Sequence, residues 1–365
     1  MTVAGPPPET PNPEQDAAAE SPAVHDAVDA ERHTPGQKRA VAPLPERVKT
    51  IQPGGGTVMA GELLWGRLRR WRLRTFRKGY VAHMASRRRG ADPSPPHDVL
   101  DPRDLKYIRN QTDLHWDERD NPFLRRRDVP FARWGYAELV VFCVVWFGLA
   151  AALLAWMANV EATWARVLLG VLSLGAAVVG ALCVWFFRDP PRRPVQDDAI
   201  LNSPADGTIA EITELADDPF IGGPAVRIGI FLSIFNVHIN RAPTRSRVVG
   251  LAYLPGKFLN ALRPESAREN ERMEIRLEQL SAPYRGMIVR QITGAIARRI
   301  VCDLQPGETL DAGEKFGMIK LGSRTELVIP NEDGLLITCD IGDKVQAGQT
   351  VLAKYEPTAD SPSAS

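Results

Sequence analysis

GTIAEIT (207–213), AVRIGIFLS (225–233), RVVGLAYL (247–254), MEIRLEQL (273–280), GMIVRQITG (286–294), RRIVCDL (298–304), KFGMIKLG (315–322), RTELVIP (324–330), GLLITC (334–339) and TVLAKY (350–355) follow one another through the second half of this chain. They are short β-type runs separated by Gly, Pro and Asp. Such runs suit pleated strands with one or both faces covered, and many of them at this spacing predict a mainly β, α+β part arranged as a barrel or sandwich. One helix is predicted among them, opened by the capping-box pattern Ser266, Ala267, Arg268, Glu269. The polar residues 357–365 read as a loose tail.

Upstream of the strands the pattern changes. Residues 137–157 and 167–187 form two apolar runs, each long enough to cross a hydrocarbon layer of roughly 30 Å as a helix of about 20 residues. Trp134 and Trp156 bracket the first and Trp164 and Trp185 the second, as an interfacial aromatic belt requires. A buried soluble hairpin does not explain that bracketing. Only residues 158–166 separate the runs, so 133–187 is predicted to be a transmembrane hairpin with both outer ends on one side. Arg125, Arg126, Arg127 and Arg133 precede it and Arg188, Arg192 and Arg193 follow it, against Arg166 alone in the connecting loop. The positive-inside rule then predicts a multi-pass protein of the cell membrane with its large parts in the cytoplasm.

Further back, residues 63–90 read LLWGRLRRWRLRTFRKGYVAHMASRRRG, with Leu, Trp and Phe set among arginines. This basic segment suits an anionic membrane surface. A solvated basic helix or an RNA-touching stretch reads as well. The whole of 61–132 is expected to be a basic, partly amphipathic cytoplasmic region. Residues 1–60, rich in Pro, Ala, Glu and Gly without apolar periodicity, are expected to be disordered, and the opening residues lack the pattern of a cleavable signal peptide.

Composition narrows the function classes. Lys plus Arg (45) nearly equals Asp plus Glu (44), so the net charge of +1 gives no reason to expect a nucleic-acid partner. The four cysteines, Cys143, Cys183, Cys302 and Cys339, contain no CxxC pair, and His238 is the one histidine after Phe187. Neither a disulfide framework nor a metal site is indicated.

Three stretches carry candidate chemistry: SPADG (203–207), FNVHINRAP (235–243) and KLGSRTELVIP (320–330). Singly, PADG is a turn, a lone histidine after an apolar run is a structural one, and a Gly-Ser step between strands is a tight turn. Together and in this order they resemble the phosphatidylserine decarboxylase family, in its shorter bacterial and archaeal branch. FRDPPRRP (187–194) and GKFLNALRPESARENERM (256–273) extend the resemblance over about 187–355.

The resemblance implies a proenzyme, a carboxy-lyase whose catalytic domain spans 188–356 and which breaks its own chain between Gly322 and Ser323. The family's Asp-His-Ser arrangement falls on Asp206, His238 and Ser323. Ser323 would be the nucleophile, His238 its base, and Asp206 the group that orients the imidazole. Ser323 would become a covalent pyruvoyl group, which replaces pyridoxal phosphate and decarboxylates phosphatidylserine to phosphatidylethanolamine through a Schiff base. The two cleaved chains would stay associated, with self-association into a homo-oligomer left open. Other branches carry a second histidine where this chain has Phe235, and a Thr where it has Arg324. The first difference leaves the proton donor for decarboxylation unassigned. Two other readings stay beside this one: a decarboxylase of another serine-headed lipid such as an archaetidylserine, and an uncleaved membrane scaffold. GDKVQAGQTVLAKY (342–355) also resembles lipoyl and biotinyl carrier domains, but Lys344 stands where those have a structural turn and no Met-Lys acceptor pair precedes it.

Overall fold

The computed structural model describes residues 36–91, 95, 97–108, 113–122, 129–261, 265–295, 299–320 and 322–356. The expectations for residues 1–35, for Arg125 to Arg127 and for the tail 357–365 lie outside these. The helices are α1 (Thr57–Phe76), α2 (Lys78–Arg87), α3 (Tyr136–Met157), α4 (Thr163–Phe186) and the single turn α5 (Ser266–Glu269). The strands are β1 (Ile200–Asn202), β2 (Gly207–Asp218), β3 (Gly223–Leu232), β4 (Ile239–Arg241), β5 (Ser246–Leu254), β6 (Arg272–Gln279), β7 (Gly286–Ile292), β8 (Ile300–Cys302), β9 (Thr309–Leu310), β10 (Lys315–Ile319), β11 (Ser323–Pro330), β12 (Leu335–Ile337), β13 (Lys344–Val345) and β14 (Val351–Tyr355).

Among the described residues these strands form three sheets, in the orders β13-β2-β3-β11-β7-β6-β5-β9, β4-β10-β8 and β1-β14-β12. The eight-stranded sheet curls into a half-barrel, so the fold is mainly β. Its central strand, β11, is hydrogen-bonded to β3 on one side and β7 on the other, and every residue in it is buried. Alternation sorts its side chains. Leu327 and Ile329 enter the main core with Ile228, Ile230 and Leu232 of β3, while Arg324 and Glu326 lie on the other face and pair with each other at 2.8 Å.

The two apolar helices stand ahead of this β part. α3 and α4 meet through small residues: Ser173 Oγ donates to the Ala150 carbonyl at 2.9 Å, and the Phe147 ring lies where a Cβ on Gly180 would be. Their outward side chains, among them Val140, Val144, Leu168, Val171, Leu172 and Leu174, are exposed. Both helices are long and apolar enough to cross a membrane. The first run carries one charge that its apolar reading passes over, Glu138 in the first turn of α3. At the root of the hairpin Trp134, Leu139, Phe186 and Phe187 pack against Val237, Ile239, Val301 and Met318 of the β part.

Residues 36–56 differ from the expected disorder, because strands supply the backbone partners that this segment cannot supply for itself. Ala42 N–H donates to the Val249 carbonyl at 2.8 Å and Cys302 N–H to the Ile51 carbonyl at 2.9 Å. Val48 is buried in the main core. Further along, α1 buries Met59 and turns Leu63 toward Tyr107 and Ile108, and Arg69 and Arg70 face inward onto Asp101 and Asp104. Leu64, Trp65, Leu68, Trp71 and Phe76 point outward. The predicted helix at Ser266 is one turn long and has no side-chain cap. Glu265, not Ser266, occupies its N-cap position. Asn270 ends it, binding both backbone groups of Leu259 and the carbonyl of Thr293.

Candidate active site

The link between β10 and β11 joins two different sheets, and the Gly-Ser step lies in that link. Gly322 has φ of +64°, a left-handed conformation that a side chain would resist. Its carbonyl lies against Gly294, at a place that a Cβ on residue 294 would occupy. Ser323 opens β11 opposite Leu232. It is fully buried, and its Oγ has no hydrogen-bond partner among the described residues. Leaving a hydroxyl in that condition costs about 1–3 kcal/mol, which marks the position as one shaped for something other than stability.

His238 comes to the same place from the other direction. It immediately precedes β4, and the Ile319 N–H of β10 donates to its carbonyl at 3.2 Å. Its Nδ1 lies 2.9 Å from the Asn236 carbonyl. A carbonyl only accepts, so Nδ1 carries the proton and Nε2 presents a lone pair. The Gly322 N–H donates to that Nε2 at 3.3 Å. The imidazole is 1% exposed, with the Phe186 ring 4.5 Å away. Burial, with a smaller push from Arg188, lowers its pKa to about 4 and keeps it neutral.

Asp206 is placed differently from the triad pattern. Its carboxylate accepts from Arg192 Nη2 at 2.7 Å and from the Ala347 N–H at 2.8 Å. Burial raises its pKa, and these two partners offset part of that rise. The structure therefore brings His238 to the Gly322 amide, next in the chain to Ser323, while Asp206 clasps Arg192 to the turn before β14. The imidazole is oriented by the Asn236 carbonyl, a partner that side-chain motifs do not reveal. Asp189, in the stretch that opens the family resemblance, holds Arg241 at 3.0 Å in a buried pair and so steadies the strand next to His238.

The two departures from the family pattern also have places. Arg324 points away from the Ser323 side of the sheet, held by Glu326 and by Glu211 at 2.5 Å. Phe235 is 58% exposed beside Ile234, in the turn just ahead of His238, and its carbonyl accepts from Arg188 Nη2 at 2.8 Å. Lys344 lies in a strand paired with Thr208, not at a hairpin tip.

The sequence profile of the family described as "Phosphatidylserine decarboxylase" matches residues 179–353. A protein of Rhodopirellula baltica named "Phosphatidylserine decarboxylase proenzyme" is 49% identical over 252 residues, which cover 69% of this chain and 99% of that protein. The chain belongs to the phosphatidylserine decarboxylase family. Proteins of the same name from Carboxydothermus hydrogenoformans (42% identical, covering 54% of this chain and 95% of that one) and Chlorobium luteolum (43%, covering 51% and 84%) are similar over shorter spans. The family is one of carboxy-lyases.

Proposed function

We propose that this chain is a membrane-anchored phosphatidylserine decarboxylase proenzyme that cuts itself between Gly322 and Ser323. The observation that carries the reading is the lone pair of His238 Nε2, turned to the Gly322 amide at 3.3 Å, beside a buried serine hydroxyl with no partner among the described residues. His238 would release that long bond and take the Ser323 Oγ proton as the oxygen attacks the Gly322 carbonyl. The C–N bond breaks, the amide nitrogen gains a proton, and an ester replaces the peptide. Removal of the Cα proton of residue 323 to a base, with departure of Gly322 as a carboxylate from Cβ, leaves dehydroalanine, which takes up water and releases ammonia to give a pyruvoyl end.

The residues fit that group. The unpartnered Oγ, the left-handed Gly322 and the space kept by Gly294 are what a reacting carbonyl needs around it. Once formed, the pyruvoyl carbonyl supplies the electron sink that amino-acid decarboxylation requires. Asp206 serves in this reading as a positioning group, holding Arg192 and the turn at Ala347. His238, neutral and buried, remains the nearest proton carrier. The two chains stay associated because β11 is bonded to β3 and β7, and β14 to β1, all three partners lying in the larger chain.

Phosphatidylserine in the cytoplasmic leaflet is the substrate proposed. The hairpin root packs on the strands that hold the site, and the exposed Ile234 and Phe235 beside it offer an apolar edge to lipid. Arg133, Arg188, Arg192 and Arg193 at the outer ends, against Arg166 in the loop, support a cytoplasmic catalytic part. A denaturing gel with intact-mass analysis tests the reading. The parent chain should give two fragments, the smaller beginning with a blocked residue at position 323, and Ser323→Ala should give one full-length chain. An active enzyme whose chain stays whole would overturn it.

A further inference from the structure

Glu138 and Lys320 stand 182 residues apart, yet the carboxylate of the first and the ammonium of the second form a buried ion pair. Their side chains are 5% and 8% exposed. Arg299 approaches the same carboxylate oxygen at 3.6 Å, and the other oxygen, Glu138 Oε2, is buried with no hydrogen-bond partner among the described residues. Glu62 of α1 is the further acidic group whose charge acts on Lys320. A buried pair of this kind gives little net stability over an apolar replacement, and breaking it strands a charge. An ionisable residue inside a membrane helix therefore points to a task.

The positions of the two partners indicate the task. Glu138 lies in the first turn of α3, the helix that enters the membrane. Lys320 directly follows β10, two residues ahead of the scissile Gly322–Ser323 bond. The Lys320 N–H donates to the Arg299 carbonyl at 3.1 Å, and Ile319 is bonded to His238. The strand side of the cleavage link is thus held by backbone bonds, and its side chain is held by the hairpin. Without Glu138 the Lys320 ammonium is left buried near the Arg299 guanidinium, a cost relieved by moving toward water, and Lys320 is two residues from Gly322.

We propose that the Glu138–Lys320 pair is a positioning contact that makes self-cleavage depend on a seated membrane hairpin. This rests on the reading of Gly322–Ser323 as the cleavage site. A precursor whose first helix has not docked lacks the partner for Lys320, so the Gly322 carbonyl is not presented to Ser323. Maturation then follows assembly at the membrane.

The full chain, expressed in membranes and pulse-labelled, gives the rate at which one band becomes two. Glu138→Gln should slow that rate by about ten-fold or more, the effect of roughly 1.4 kcal/mol on the barrier. The exchange Glu138→Lys with Lys320→Glu should cleave faster than either single variant, a rescue that loss of folding would not show. If Glu138→Gln does not accumulate, Glu138→Asp takes its place, with slowed cleavage expected again. Parental rates in the single variants, or an exchange no faster than the slower single, would overturn the proposal. A parent chain that itself stays whole would instead sink the cleavage-site reading beneath it.

Discussion

The central strand β11 and the hairpin helices α3 and α4 are built from similar apolar residues and, in the membrane-anchored form proposed, live in different solvents. Leu327 in β11 is fully buried, in a strand with neighbours bonded on both edges. Leu172 in α4 is 50% exposed, on a helix that satisfies its own backbone. A strand can be apolar only where protein covers it, whereas a helix can face hydrocarbon directly. The candidate site lies where the two regions meet, with the Phe186 ring on His238 and Glu138 on Lys320. On the proposed function a lipid-processing site has reason to be there, since a lipid substrate stays in the bilayer while the groups that act on it need a rigid frame.

The largest expected effect comes from removing the group at that junction. His238→Ala should slow self-cleavage by about a thousand-fold, the middle of the range for a general base, measured as loss of the precursor band with time. Normal cleavage would take the base role away from His238.

Acid should act on the same residue. With a pKa near 4 in the fold against 6.5 ordinarily, His238 binds fewer protons folded than unfolded between those values. Its contribution to stability is full above about pH 6.5 and is lost as pH falls towards 4, on the order of 3 kcal/mol in all. Denaturant titrations of Ser323→Ala and of Ser323→Ala with His238→Gln should diverge over that window, and parallel curves would place the imidazole in water.

Truncating the two leucines separates the solvents directly. Leu327→Ala should destabilise the β part by about 3 kcal/mol through the cavity it leaves, read as a lower denaturant midpoint. Leu172→Ala, outward on α4, should change it by less than about 0.5 kcal/mol. Equal effects would mean that α4 is covered by protein.

A modest effect on turnover is expected at the apolar edge. Ile234→Asp with Phe235→Asp should lower turnover on phosphatidylserine vesicles about five-fold, from loss of roughly 1 kcal/mol of interfacial burial. Turnover on a dispersed short-chain phosphatidylserine should change less, and an equal loss on both would place the edge away from lipid.

What the sequence disclosed and what it withheld divide along physical lines. The hairpin was legible to within a few residues because apolar runs between tryptophans need no tertiary partner to be recognised. The strands were legible from composition, and the motifs singled out His238 and Gly322, which meet in the fold. The partners of Asp206 were not legible, since Arg192 and the Ala347 amide, on either side of it in the chain, meet it only in the folded structure. Asn236 acts through its carbonyl, which every residue has. Glu138 was lost within an apolar run, and its partner is 182 residues away. The segment 36–56 has too few apolar residues to show a period, and Val48 and Ile51 have meaning only against strands that come much later.

The place of β11 in the large sheet has a consequence for the life history of the molecule. On the proposed cut, the smaller chain begins with this strand, and both strands bonded to it, β3 and β7, belong to the larger chain. A precursor that unfolds can refold as one molecule. A mature pair that unfolds must find its partner again, so its unfolding midpoint should fall on dilution while that of Ser323→Ala should not. The strand order of the sheet is thus assembled once, while the chain is continuous, and maturation turns a reversible fold into one that holds only as long as it is never opened.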